Sequence, residues 1–135
     1  MDYVWVAIGS ALGGVGRYTA AMAVARLTGA QFPWGTILIN IVGSFIIGLV
    51  ATMTAAGARF AAPPGLRLFI MVGFCGGFTT FSSFSLQTLE LLRDGHNGEA
   101  LGNIALSVVL CMAGVAAGYH AGLVLAAGQA IVQQG

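Results

Sequence analysis

The chain contains no lysine, and few of its 135 residues are charged at all. Its five basic residues are all arginine (Arg17, Arg26, Arg59, Arg67 and Arg93), and its acids are Asp2, Glu90, Asp94 and Glu99. Charged residues make up 7% of the sequence, against about 25% in soluble domains. A water-facing surface cannot be built from that stock. The net charge of +1 comes without the clustered Lys and Arg that nucleic acid requires, so nucleic acid is excluded as a partner. Cysteine is scarce too: Cys75 and Cys111 both fall in apolar runs, with no histidine or acid nearby. They form neither a disulfide framework nor a metal site, and read as packing residues. A nucleophile–base constellation and a phosphate loop are also missing, and neither His96 nor His120 has a catalytic partner in the pattern. The protein is not expected to be an enzyme.

What is abundant is hydrocarbon. Hydrophobic residues account for 58% of the chain, and the mean hydropathy is +0.92. Four apolar stretches stand out, approximately residues 3–27, 34–54, 67–92 and 100–126. Each meets the requirement of about 20 residues for a helical membrane span. The connectors Thr28–Pro33, Ala55–Gly65 and Arg93–Glu99 are short and rich in Gly, Pro or polar residues, so successive helices should run antiparallel. The first stretch lacks a basic leader and is interrupted by Arg17, which favours a retained span over a signal peptide. The expected fold is a single all-α membrane domain, residues 1–135, with four transmembrane helices.

Orientation in a membrane follows the distribution of Lys and Arg between the two sides. Arg59 and Arg67 fall on one side and Arg26 and Arg93 on the other, leaving a bias of 2 − 2 = 0. Such a chain can insert either way up, and two copies could pair antiparallel. Alternatively, its orientation is fixed by something that so small a count misses. The 21 glycines are about twice the usual fraction. Several fall at small-xxx-small spacing: Gly9 with Gly13, Gly73 with Gly77, and Gly114 with Gly118 and Gly122. Such faces let helix backbones pack closely in lipid. A homodimer is expected.

Polar residues inside the spans are the candidates for function. Asn40, in the run Ile37–Val42, needs hydrogen-bonding partners; it is either glue between helices or the lining of a watery path. Arg17 either pairs near an anion vestibule or snorkels to an edge. The third stretch reads Gly73-Phe74-Cys75-Gly76-Gly77-Phe78-Thr79-Thr80-Phe81-Ser82-Ser83-Phe84-Ser85. Its glycines and threonines would weaken a helix at mid-membrane. A break would expose carbonyls suited to a cation and a helix N-terminus suited to an anion. An unbroken, closely packed helix also fits the composition. Beyond it, Phe81 and Phe84 share a helix face at i, i+3, beside the hydroxyls of Ser82, Ser83 and Ser85. Aromatic rings have a positive edge, able to face an anion without holding it tightly.

Taken together, these segments resemble the Fluc (also called CrcB) fluoride-channel family. The resemblance rests on Gly13-Gly14-Val15-Gly16-Arg17-Tyr18, on Pro33-Trp34-Gly35-Thr36 leading to Asn40-Ile41-Val42-Gly43-Ser44-Phe45, and on the Gly73–Ser85 segment. It spans essentially the whole chain. It implies a third helix broken mid-membrane and a dual-topology, antiparallel homodimer in the lipid bilayer. It further implies two pores that passively export fluoride from the cytoplasm. Phe81 and Phe84 resemble the phenylalanines whose ring edges face fluoride, Asn40 the asparagine that donates to it, and Ser82 a hydroxyl of the lining. Gly76 and Thr79 correspond to the carbonyls that hold a structural sodium ion at the dimer centre. Arg17 matches the family's helix 1 arginine, placed at the vestibule. In the last stretch, Asn103, Ser107 and Cys111 occupy a polar track at i, i+4, i+8. Asn103 and Cys111 depart from its usual residues, so only Ser107 carries over. The implied location is a bacterial inner (plasma) membrane.

Fluoride is small, strongly hydrated and a good hydrogen-bond acceptor, so removing its water requires replacement donors such as the Asn40 amide and the Ser82 hydroxyl. Two other readings compete. A proton-coupled multidrug exporter would carry a glutamate in its first helix, which this chain lacks. A non-transporting membrane partner protein would show no ion flux.

Overall fold

The computed structural model describes residues 1–55 and 62–132, with side chains up to residue 126 at the C-terminal end. Arg59, half of one side's charge in the orientation count, lies outside these residues. Among the described residues the fold is entirely helical.

Helix α1 runs Asp2–Thr28 and stops at Gly29, whose φ of 81° ends the right-handed coil. Helix α2, Trp34–Met53, begins after Pro33, where a missing N–H costs nothing. The third stretch is composite. A short α3 (Pro64–Arg67) leads into a π-helical segment, Leu68–Phe74, closed by a bond from the Cys75 N–H to the Ile70 carbonyl. A further α-turn, α4 (Cys75–Phe78), follows, then extended backbone at Thr79 and Thr80, then α5 (Phe81–Arg93). A tight turn with Gly95 at φ 82° starts α6, Asn97–Val132.

The helix expected to be broken is broken, at the threonines of that expectation and not at its glycines. Gly73, Gly76 and Gly77 are helical, and the chain opens at the threonines. Among the described residues three segments are long and apolar enough to cross a membrane: Trp34–Met53, Pro64–Arg93 and Asn97–Ala126. The first stretch, expected to make a fourth, forms the 27-residue α1. Arg17, Ser10, Thr19 and its glycines dilute its hydropathy, and it is not among those three.

Glycine faces pair the helices. Helix α1 lies along the π segment and α4, while α2 lies along α6. A Cβ on Gly73 would come within 2.9 Å of the Gly9 Cα, so a side chain there would force the two backbones apart. At the second interface, a Cβ on Gly118 would collide with the Phe45 carbonyl, and one on Gly122 would sit 2.9 Å from the Leu49 carbonyl. The small-residue spacings seen in the sequence therefore mark real contacts between backbones.

The interior reverses the soluble pattern. Among the described residues, and apart from glycine, the buried ones are Ile37, Ile39, Cys75, Leu91 and Ala100 against Thr36, Thr52, Thr80, Thr88, Asn103 and Ser107. Large apolar side chains such as Val15, Leu101, Val109 and Val124 face outward. Lipid tails are as apolar as leucine, so hydrophobicity does not decide what is buried in a bilayer; close packing and hydrogen bonding do.

Candidate functional site at the broken helix

Extended backbone at Thr79 and Thr80 leaves peptide groups that no helix ladder satisfies, and at membrane depth each needs a partner. Asn40 supplies one. Its Oδ1 accepts from the Thr80 N–H at 2.8 Å, and its Nδ2 donates to the Thr80 carbonyl at 3.2 Å. The side-chain amide thus imitates a neighbouring peptide and clasps the open residue across 40 positions of sequence. One N–H joins α2 to the break, and the second N–H of Nδ2 remains available where the residue lines a groove.

The clasp frees carbonyls on the other side of the break. In a continuous helix the Thr80 N–H would bond the Gly76 carbonyl; here it is turned to Asn40. The Thr79 carbonyl, on extended backbone, also has no protein donor among the described residues, because the Ser83 N–H goes to Thr80 Oγ1. Thr79 itself turns back, with both its N–H and its hydroxyl donating to the Cys75 carbonyl at 2.9 and 2.8 Å. Two neutral, hard oxygens from one chain suit a cation such as sodium. They are too few for a full coordination shell, and a second copy would double them. Among the described residues there is no cluster of His, Cys, Asp and Glu for a softer metal. The residues present fit the implied ion provided that two chains meet here.

On the far side of the break, Thr80 caps α5: its Oγ1 accepts the Ser83 N–H at 3.2 Å. The N–H groups of Phe81 and Ser82, at the first two positions of the helix, have no intrahelical acceptor. They give this end of α5 a partial positive charge. Carbonyl oxygens and amide hydrogens thus occupy the same break.

Beside the break lies a groove of about 490 Å³, lined by Asn40, Gly76, Thr79, Phe81, Phe84 and Ser107 among others. Phe81 is 78% exposed and Phe84 half-buried, with ring centroids 5.3 Å apart and tilted by 46°. Ser82 is exposed, with its hydroxyl 3.3 Å from that of Thr80. Six of the expected site residues therefore converge on one groove, and Ser82 stands beside it.

Arg17 is placed differently. Half-buried on α1, it donates from Nε to the Gly77 carbonyl at 3.1 Å. Its positive charge sits at the C-terminal end of α4, where the helix dipole is negative. The sequence suggested a charge near an anion vestibule or snorkelling to an edge, and did not show its bond to the Gly77 carbonyl just before the break. Asn103, set aside above as a departure from the polar track, is a second case. It is completely buried, and its Nδ2 donates to Thr88 Oγ1 at 2.8 Å. An asparagine flanked by Gly102 and Ile104 in an apolar run is the same signal that singled out Asn40.

The chain matches the family model described as CrcB-like protein, Camphor Resistance (CrcB), over residues 4–119. A relative from Methylocella silvestris, named fluoride-specific ion channel FluC, is 57% identical over 119 residues, covering 88% of this chain and 91% of the relative. Proteins of the same name from Opitutus terrae and Rhodospirillum rubrum are 54% and 51% identical, covering 88% and 93% of this chain and 90% and 96% of theirs. These relatives are named as ion channels, not enzymes, which agrees with the expectation drawn from the missing catalytic residues. With three segments apolar enough to cross a bilayer and a match over nearly its whole length, the chain is a membrane protein belonging to the CrcB family.

Proposed function

We propose that the protein is a fluoride-selective channel that passively exports fluoride across the bacterial inner membrane, acting as an antiparallel dimer of two copies. The observation that carries this reading is the groove at the break. It offers an amide N–H from Asn40, the N–H groups that the Thr80 cap leaves free at the start of α5, and the rings of Phe81 and Phe84. Each presents partial positive charge, and none is a full cation. Conduction needs an ion held firmly enough to enter and loosely enough to leave. Weak donors meet that requirement for an anion that must shed its water. The names of the relatives supply the ion.

The dimer is supported by what one chain leaves open. Phe81 is exposed on a face that also carries the unclaimed Gly76 and Thr79 carbonyls. A second copy would cover that face, bring four such carbonyls together for a sodium ion, and wall off two pores. Bound there, sodium would supply positive charge and tie the two breaks to each other. The fourth span in this reading is α1. Its 27 residues make a helix about 40 Å long at 1.5 Å per residue, enough to cross a hydrocarbon core of about 30 Å.

Purified protein in liposomes loaded with potassium fluoride should release fluoride rapidly once valinomycin is added, as read by a fluoride electrode. Chloride-loaded vesicles should release little, and Phe81→Ile should slow fluoride release. Monodisperse protein that releases no fluoride would overturn the reading.

A further inference from the structure

Helices α5 and α6 meet through a one-way relay of hydrogen bonds. Ser107 Oγ donates to Asn103 Oδ1 at 3.4 Å, Asn103 Nδ2 donates to Thr88 Oγ1 at 2.8 Å, and Thr88 Oγ1 donates to the Phe84 carbonyl at 2.7 Å. All three side chains are buried, Asn103 completely. Simple glue between two helices needs only one such bond, and the Asn103–Thr88 pair would suffice. The relay goes further in both directions, and each end reaches the groove. Ser107 and Phe84 are both lining residues, contributed by different helices.

We propose that Asn103 is a positioning residue for the pore. Through Thr88 it holds the α5 backbone at Phe84, and so fixes where that ring stands. Through its Oδ1 it orients the Ser107 hydroxyl. The lengths assign the two arms different stiffness. The Asn103–Thr88–Phe84 arm is short and holds, whereas the 3.4 Å bond to Ser107 is long and easily exchanged. Ser107 can therefore turn its hydrogen toward an anion in the groove while Asn103 stays in place. The hydroxyl is a donor on a fixed mount.

This inference rests on the channel reading, and the experiment separates the two. Asn103→Leu, Thr88→Val, the double variant and Thr88→Ser are reconstituted as monodisperse protein, and fluoride and chloride release are measured. Each of the first two should slow fluoride release by roughly tenfold, a typical size for broken networks, and should lower the fluoride-to-chloride ratio. The double variant should be no worse than the poorer single one, because both cut the same relay. Thr88→Ser keeps the donor and the acceptor and should conduct like the parent. Should Asn103→Leu fail to give monodisperse protein, Thr88→Val, which keeps the side-chain shape, carries the test alone. Unchanged rate and ratio in the single variants, or losses that multiply in the double one, would overturn the positioning role while the conducting parent upholds the channel. A parent protein that releases no fluoride overturns both.

Discussion

The two halves of the broken third stretch are built on opposite rules. Before the break, the π segment and α4 lie against α1 with backbone touching backbone, and Gly9 and Gly73 leave no room for a single carbon atom. After the break, α5 has little contact with α1 and leans on α6. There it is held by hydroxyls and an amide, with Phe81 left out in the open. The first half is closed by removing side chains, and the second is lined by keeping them. A membrane protein that must hold a small ion needs both: a rigid wall, and beside it a surface with donors to offer. The break is where one rule changes to the other, and Asn40 stands at that point.

Disturbing each half tests this contrast. The largest effect is expected from Gly73→Val, which drives a branched side chain into the α1 backbone; folded, monodisperse protein should be lost on size exclusion. Gly14→Val on α1 is the control. A Cβ at Gly14 meets nothing within 4 Å, so its yield should stay near that of the parent. Next is Asn40→Leu, which strands both the N–H and the carbonyl of Thr80 and should cost about 2–6 kcal/mol, at 1–3 for each buried group. A drop in the thermal midpoint of detergent-solubilised protein reads this out. Arg17→Met removes a charge-assisted bond to the Gly77 carbonyl and should cost roughly 1.5–3 kcal/mol by the same measurement. The smallest effect belongs to Thr80→Val, which deletes the cap of α5 at a cost of about 1 kcal/mol. If Gly73→Val proved as mild as Thr80→Val, the contrast between a closed wall and a lined one would fail.

Much of this arrangement was legible in the sequence, because glycine spacing and isolated polar residues in apolar runs are local signals. Gly73 with Gly77 and Gly114 with Gly118 announced their interfaces, and Asn40 announced itself. The break was also announced, with Gly76 and Thr79 in it, but not which of the glycines and threonines would leave the helix. Glycine weakens a helix from within, yet the chain opens at Thr79 and Thr80, where Asn40 takes up the N–H and carbonyl of Thr80 and the Thr80 hydroxyl takes up the Ser83 N–H. A partner 40 residues away leaves no trace in local propensity. Asn103 shows the same limit. Its spacing to Ser107 was visible, but its bond to Thr88 depends on how α5 meets α6, and with that bond unseen it appeared only as a departure from a pattern. Arg17 was located as a charge without its acceptor for the same reason.

The π segment Leu68–Phe74 has a consequence for how this chain tolerates change in length. A coil bonded from each N–H to the carbonyl five residues back, as Cys75 is to Ile70, holds one residue more per closed ring than an α-helix. Deleting one residue there can be absorbed by tightening the coil, whereas in α2 the same deletion would turn everything beyond it by about 100°, the angle per residue of an α-helix. Gly73 and the break would keep their places against α1, and the adjustment would fall toward Gly65, which is seated on the Trp5 ring. Leu68–Phe74 is therefore the stretch in which a shortened chain should still build the break.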